Sequence, residues 1–215
     1  MPTIVASIPT LRLLKDGLEQ NKELYVIALG VDRRPRAGGA PALPTSGANA
    51  DVRALAPAVV GALEGTGAFL VASQTFHRVR AAAPLPLVGS GIVLYPNLDP
   101  AGMLGLHIFV VESQSGAREI GDSLGALLGG GPVKQALTAL RGAAAVTQPL
   151  AAGLLTAVAA GLPAALKAQR DRVWFTMNYT GFDFDGYAVP EGKDVHDFVQ
   201  ANDRVELTLR LRRVG

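Results

Sequence analysis

The chain has 215 residues, no cysteine, 49% apolar and 18% charged side chains, and a formal net charge of +2. This composition supports a sizeable core and excludes a disordered polymer, disulfide staples, thiolate zinc sites and a cysteine nucleophile. With 20 basic residues set against 18 acidic ones, no polyanion-binding surface is implied overall.

Ile4 to Leu14 reads as a strand, with Val5, Leu11 and Leu13 on one parity; Pro9 lacks an amide donor and suits an edge. Glu23 to Val31 is nearly continuous in apolar residues and predicts a strand buried on both faces. Asp32 to Asn49 is rich in Arg, Gly, Ala and Pro without periodicity, which predicts a long loop. Asp51 to Glu64 has the alanine content of a helix but carries Pro57 in its middle. Further strands are expected at Phe69–Val79, Leu85–Val88, Ile92–Tyr95 and Gly105–Glu112.

The period then changes. Ile120, Leu124, Leu127 and Leu128 recur at helical spacing, and Gly129-Gly130-Gly131 stops that helix. Pro132 can open the next helix, since the first turn does not use its missing amide. Val133, Leu137, Leu140 and Ala144 give that helix an apolar face, opposite Lys134, Thr138 and Arg141. Leu150, Leu154, Val158 and Leu162 form a third stripe, in a segment that Pro149 and Pro163 divide. Strand character returns at Arg172–Tyr179. A loop rich in Gly and Asp is expected next, and then Arg204–Val214, where Val205, Leu207, Leu209 and Leu211 alternate with polar residues.

The expected fold is therefore mainly β (α+β): one antiparallel β-sandwich domain over 1–215 with an Ala-rich helical insertion at about 117–170. The 25 uncharged residues from Gly142 to Leu166 pose the main functional question. Their length suits a membrane span, but their many Ala and Gly side chains transfer little free energy to hydrocarbon. Small side chains equally permit close packing of helices on a sheet or on a neighbouring subunit. Packing on protein is the leading expectation, and conditional membrane entry is the second.

Acidic loop residues are the metal candidates: Asp99, Glu112, Asp183 and Asp185. Calcium takes six to eight oxygen ligands, and carboxylates two apart on a loop can share one ion. If these loops met at one end of a sandwich, the arrangement would resemble the C2-type calcium-dependent membrane modules, by loose analogy of architecture alone. No segment carries that family's motif, and an Asp-X-Asp turn is more commonly solvated. Aromatic candidates for partner contacts are Trp174, Phe182, Phe184 and Tyr187. Phe175 and Tyr179 share a parity with Val173 and Met177 and are expected in the core, whereas Trp174 falls on the other parity.

Signals for catalysis are weaker. His77, His107 and His196 show no metal-ligand spacing; His77 and His107 fall in predicted strands, and His196 in a polar loop. Ser113 and Ser115 lack a nucleophile elbow, and the Gly129–Lys134 stretch lacks the Lys-Ser/Thr ending of a phosphate loop. Arginine clusters at Arg33–Arg36, Arg78–Arg80 and Arg210–Arg213 have no interleaved aromatics, so nucleic acid is not expected.

The leading expectation is a non-enzymatic binding or structural module making protein–protein or self-assembly contacts. The alternative is a membrane-targeting effector, acting through calcium and acidic loops or through insertion of the Ala-rich hairpin. A hydrolase is the weaker third. The N-terminus lacks a basic start followed by an apolar stretch, so a cytoplasmic location is the default expectation, with later release or membrane association left open.

Overall fold

A computed structural model of the chain describes residues 3–15, 23–32, 62–73, 75–77, 79, 83–85, 87, 89–97, 102–113, 117–143, 146–168 and 171–214. The strands are β1 (Thr3–Leu13), β2 (Glu23–Asp32), β3 (Ala68–Ala72), β4 (Phe76–His77), β5 (Ile92–Asn97), β6 (Met103–Ser113), β7 (Arg172–Phe182), β8 (Val195–Ala201) and β9 (Val205–Val214). Three helices separate β6 from β7: α1 (Ala117–Leu128), α2 (Gly131–Gly142) and α3 (Gln148–Ala168). The expected loop at 33–49, most of the ambiguous segment 51–64 and Asp99 lie outside the described residues.

The strands form two antiparallel sheets. One has the order β5-β1-β9-β8; the other runs β3-β2-β6-β7, with β4 also pairing β2. Two hydrophobic clusters follow from strand alternation. Ile4, Ala6, Ile8 and Leu11 of β1 and Val205, Leu207, Leu209 and Leu211 of β9 meet Leu24, Val26, Leu106, Ile108 and Val110 of the second sheet. The opposite face of that second sheet, with Tyr25, Ile27, Leu29, Phe109 and Val111, packs under the three helices. The result is a β-sandwich whose second sheet carries a helical layer on its outer face.

This layering explains why β2 reads as buried on both faces. Leu24, Val26 and Ala28 enter the sandwich interior, while Tyr25, Ile27, Leu29 and Val31 lie under the helices. The Tyr25 hydroxyl donates to Asp171 Oδ2 at 3.0 Å, tying β2 to the end of the helical insertion. Burial, with the Asp171 carboxylate beside it, pushes the Tyr25 phenol up and keeps it protonated. In the same strand, the Tyr95 hydroxyl donates to the buried Asp32 at 2.9 Å, which links β2 to β5 across the sandwich.

Several sequence expectations are corrected. The strand expected at Phe69–Val79 is broken into β3 and the two-residue β4, and of the strand expected at Leu85–Val88 the described residues Leu85 and Leu87 lie outside any strand; nearby, Pro84 makes an isolated bridge to Arg12. Pro163 does not divide the third helix. It sits inside α3 at an exposed position, and the buried stripe Ala151, Leu154, Val158, Leu162 and Leu166 continues across it. Packing of that stripe on the sheet outweighs the one backbone hydrogen bond a helical proline removes. The loop expected after Tyr179 also contains structure: β7 runs on to Phe182, a turn follows, and β8 spans Val195–Ala201 with His196 inside it.

Small residues set the helix spacing. A methyl group built on Gly161 of α3 would come within 2.7 Å of Leu127 in α1, and one on Gly105 of β6 within 3.0 Å of Leu155 in α3. Both positions therefore let a leucine of a neighbouring element sit against bare backbone, the use of small residues that Ala- and Gly-rich helices allow.

Candidate interaction surfaces

Glu112 lies far from Asp183 and Asp185. Glu112 is opposite Arg172 at one end of the β6–β7 pair, whereas Met103 is opposite Phe182, the residue before Asp183, at the other. At about 3.3 Å per residue those ends are roughly 30 Å apart, so Glu112 cannot share an ion with Asp183 or Asp185. Glu112 is instead buried, and Trp174 donates its indole N–H to Glu112 Oε2 at 3.2 Å. Asp183 and Asp185 lie in a short 3-10 segment, and their side chains, like Asp99, fall outside the description. Among the described residues, no group of three or more His, Cys, Asp and Glu side chains is placed to hold one metal ion.

The aromatic candidates are also redistributed. The β6–β7 register shifts between Val110 and Val111: Val110 is opposite Phe175 and Val111 is opposite Val173. Trp174 is thus the extra residue of a β-bulge, which breaks strict alternation. Trp174, Phe175, Met177 and Tyr179 all enter the sandwich interior, while Val173 packs on the helical side. Trp174, a candidate for partner contact by sequence, is therefore a core residue of the chain, and Arg204 lies 5.2 Å from its ring centroid. Phe182 is partly buried against the helical layer, and the Phe184 side chain is outside the description.

Tyr187 is likewise corrected to core. Its backbone is unusual, because Gly186, Tyr187 and Ala188 all have positive φ (65°, 58° and 56°). Two such non-glycine residues carry a strain of about 1 kcal/mol or more each. Polar groups from three strands hold this left-handed turn. Arg213 of β9 donates to the carbonyls of Gly186 and Val189, at 3.1 and 3.0 Å, and the Tyr179 hydroxyl of β7 donates to Tyr187 O at 2.8 Å. His196 Nδ1 of β8 bonds Ala188 O.

The two described histidine rings occupy different layers. His107 is buried, stacks on Phe109 at 4.2 Å on the helical side of β6, and is lowered to about 4 by burial. His196 lies on β8 of the other sheet, against Phe198. The His77 side chain and Ser115 fall outside the description.

Two surfaces stand out from the rest. The first is the outer side of α3, where Gln148, Pro149, Ala152, Gly153, Thr156, Ala160, Pro163, Ala164 and Lys167 are exposed. Its large side chains already point into the sheet, and no charge occurs before Lys167. The second is β8, an edge strand on which Val195 and Val199 are 41% and 64% exposed. Beside them, Arg210 of β9 grips Asp197 in a fork with N–O distances of 2.7 and 2.6 Å. Sequence reading missed β8 because an edge strand that is largely wet on both sides has little hydrophobic alternation. Phe198, with Val195 and Val199 in the same seven residues, is the available signal.

No protein-family model matches the chain, and no curated protein matches it either.

Proposed function

We propose that the chain is a non-enzymatic binding or structural module that docks on another protein, or on another copy of itself, through the outer side of α3. One observation carries this reading: a 21-residue helix presents a wide exposed face made of Ala, Gly, Pro and one Thr, with amide and charged side chains only at its ends. A helix on a water-facing surface ordinarily sets charged residues on that side. Small side chains there permit a second backbone to approach closely without the cost of ordering long ones. Cytoplasmic action is the accompanying proposal.

Membrane entry is the second reading, favoured by one observation: α3 is long and apolar enough, by length and composition, to cross a bilayer. In its packed position, however, α3 would offer lipid only small side chains. Presenting Leu154, Val158, Leu162 and Leu166 to lipid would require it to leave the sheet and uncover Ile27, Leu29 and Phe109. Docking on protein needs no such rearrangement.

The test compares the wild type with Thr156→Arg/Ala160→Arg, using Gln135→Arg on the already polar face of α2 as control. Native mass spectrometry and sedimentation should show an assembly, with itself or with a co-purifying protein, that only the α3 variant loses. Equal assembly in all three proteins counts against the reading. Flotation with vesicles, in calcium and in chelator, decides the membrane alternative: protein rising with the lipid would favour it over docking.

A further inference from the structure

The backbone of β8 is half used. Arg213 N–H donates to Asp194 C=O at 2.8 Å, and Asn202 N–H donates to Val205 C=O at 3.0 Å. Between these bonds the register pairs Val195 with Arg212 through Ala201 with Glu206, without a shift. Hydrogen-bonded pairs alternate along an antiparallel ladder. His196, Phe198 and Gln200 therefore turn their N–H and C=O groups toward β9. Val195, Asp197, Val199 and Ala201 turn theirs away, and among the described residues nothing pairs with that outer side.

The other edges are protected. Strand β5 contains Pro96, and its pairing with β1 is interrupted by a register shift. Strand β3 is buried along its whole length. Strand β7 carries the Trp174 bulge and exposes Arg172, Thr176, Asn178 and Thr180. Among the described edges, β8 alone is both exposed and unbulged; it has no proline or lysine, and its single acid is occupied by Arg210. Exposed edges normally carry one of these protective devices.

We infer that β8 is a self-pairing edge: two copies of the chain join β8 to β8 antiparallel about a two-fold axis at Phe198, merging their outer sheets into one. This deepens the self-assembly side of the proposed function and uses a different surface from α3. The register argues for the occupant. Phe198 is the middle residue of β8, so an axis there overlaps the strand along its full length. It sets Phe198 against its counterpart, Asp197 beside Val199 and Val195 beside Ala201, so apolar groups meet and like charges do not. Beyond the strand ends it brings the exposed Lys193 of one copy alongside the exposed Asp203 of the other. An axis at Asp197 would oppose two carboxylates, which is unfavourable, and an axis at Val199 would shorten the overlap. Isologous pairing of this kind closes as a dimer and leaves no free β8 edge.

Residue-resolved hydrogen exchange on the intact chain, from dilute to concentrated solution, tests this. Expected is concentration-dependent protection of the Val195, Asp197, Val199 and Ala201 amides, with the Phe198 and Gln200 amides protected throughout. Val199→Lys should weaken the dimer at least about tenfold without shifting thermal unfolding. Val199→Pro should act alike, because that amide faces away from β9. A strict monomer at the highest concentration overturns the inference. So does a dimer in which those four amides exchange freely. If Thr156→Arg/Ala160→Arg dissolves that second dimer, strand pairing fails while docking through α3 stands. If Val199→Lys dissolves the dimer and the α3 variant does not, strand pairing stands without it.

Discussion

Helices α2 and α3 solve the same problem inward and opposite problems outward. α2 buries Val133, Leu137 and Leu140, and exposes Lys134, Gln135, Thr138 and Arg141. α3 buries Ala151, Leu154, Val158, Leu162 and Leu166, and exposes almost nothing polar between Gln148 and Lys167. The inward stripes account for the fold, and the stability of the helical layer rests on them. The outward difference is not needed to bury these stripes, and it is the feature on which the proposed docking through α3 rests.

The largest effect should come from the shared inward design. Leu154→Ala in α3 and Leu137→Ala in α2 each empty a buried site and should lower stability by about 3 kcal/mol, measured as a fall in the urea midpoint at constant slope. A loss near zero in α3 alone would mean that its stripe is not packed on the sheet.

The covered and open faces of the sandwich should also differ in their response to acid. His107, under the helices, is neutral in the fold and lowered to about 4 by burial, against an ordinary value of 6.5. Below pH 6.5 the unfolded chain takes up this proton before the folded chain does. Stability contributed by the neutral fold is therefore present above that pH and erodes as pH falls toward 4. The full difference is up to about 3 kcal/mol. Urea unfolding at several pH values should show this slope in the wild type and lose it in His107→Gln. On the open face the effect is smaller. Asp197 is held below its ordinary range by the hydrogen bonds from Arg210, so its contribution is present at neutral pH and lost as pH falls through that lowered value. The pair is exposed, and Asp197→Asn should change the thermal midpoint by the equivalent of less than about 1 kcal/mol.

Much of this architecture was legible in the chain because its strongest signals are periodic. The helical insertion showed as apolar residues at 3.6-residue spacing, punctuated by Gly129–Gly131 and Pro132. Strand β9 showed as strict alternation, and β2 as an apolar run that has a layer on each side. What escaped depends on contacts distant in sequence. The bulge at Trp174 reverses the side on which Val173 faces, and only the register with β6 reveals it. Pro163 reads as a break, yet the buried leucines around it hold one helix. Glu112 and Asp183 each look like loop acids, and the strand register sets them far apart. The surfaces with the strongest claim to function, the outer side of α3 and the edge of β8, were hard to read for a related reason. A binding surface departs from the pattern that burial imposes on the rest of the chain, so its residues carry no period.

The smallest expected effect on folding, and the largest on association, belongs to the outer side of α3, where Ala160→Arg should leave stability within about 0.5 kcal/mol. The orientation of that helix can be measured directly, because the natural chain has no cysteine. In dilute, dissociated protein, single variants Ala160→Cys and Leu162→Cys should react with a water-soluble maleimide at very different rates: the first rapidly, with or without lipid vesicles, and the second only on unfolding. Equal reactivity of the two, or shielding of Ala160→Cys by vesicles alone, would contradict a helix that rests on the sheet with its small residues turned outward to meet protein.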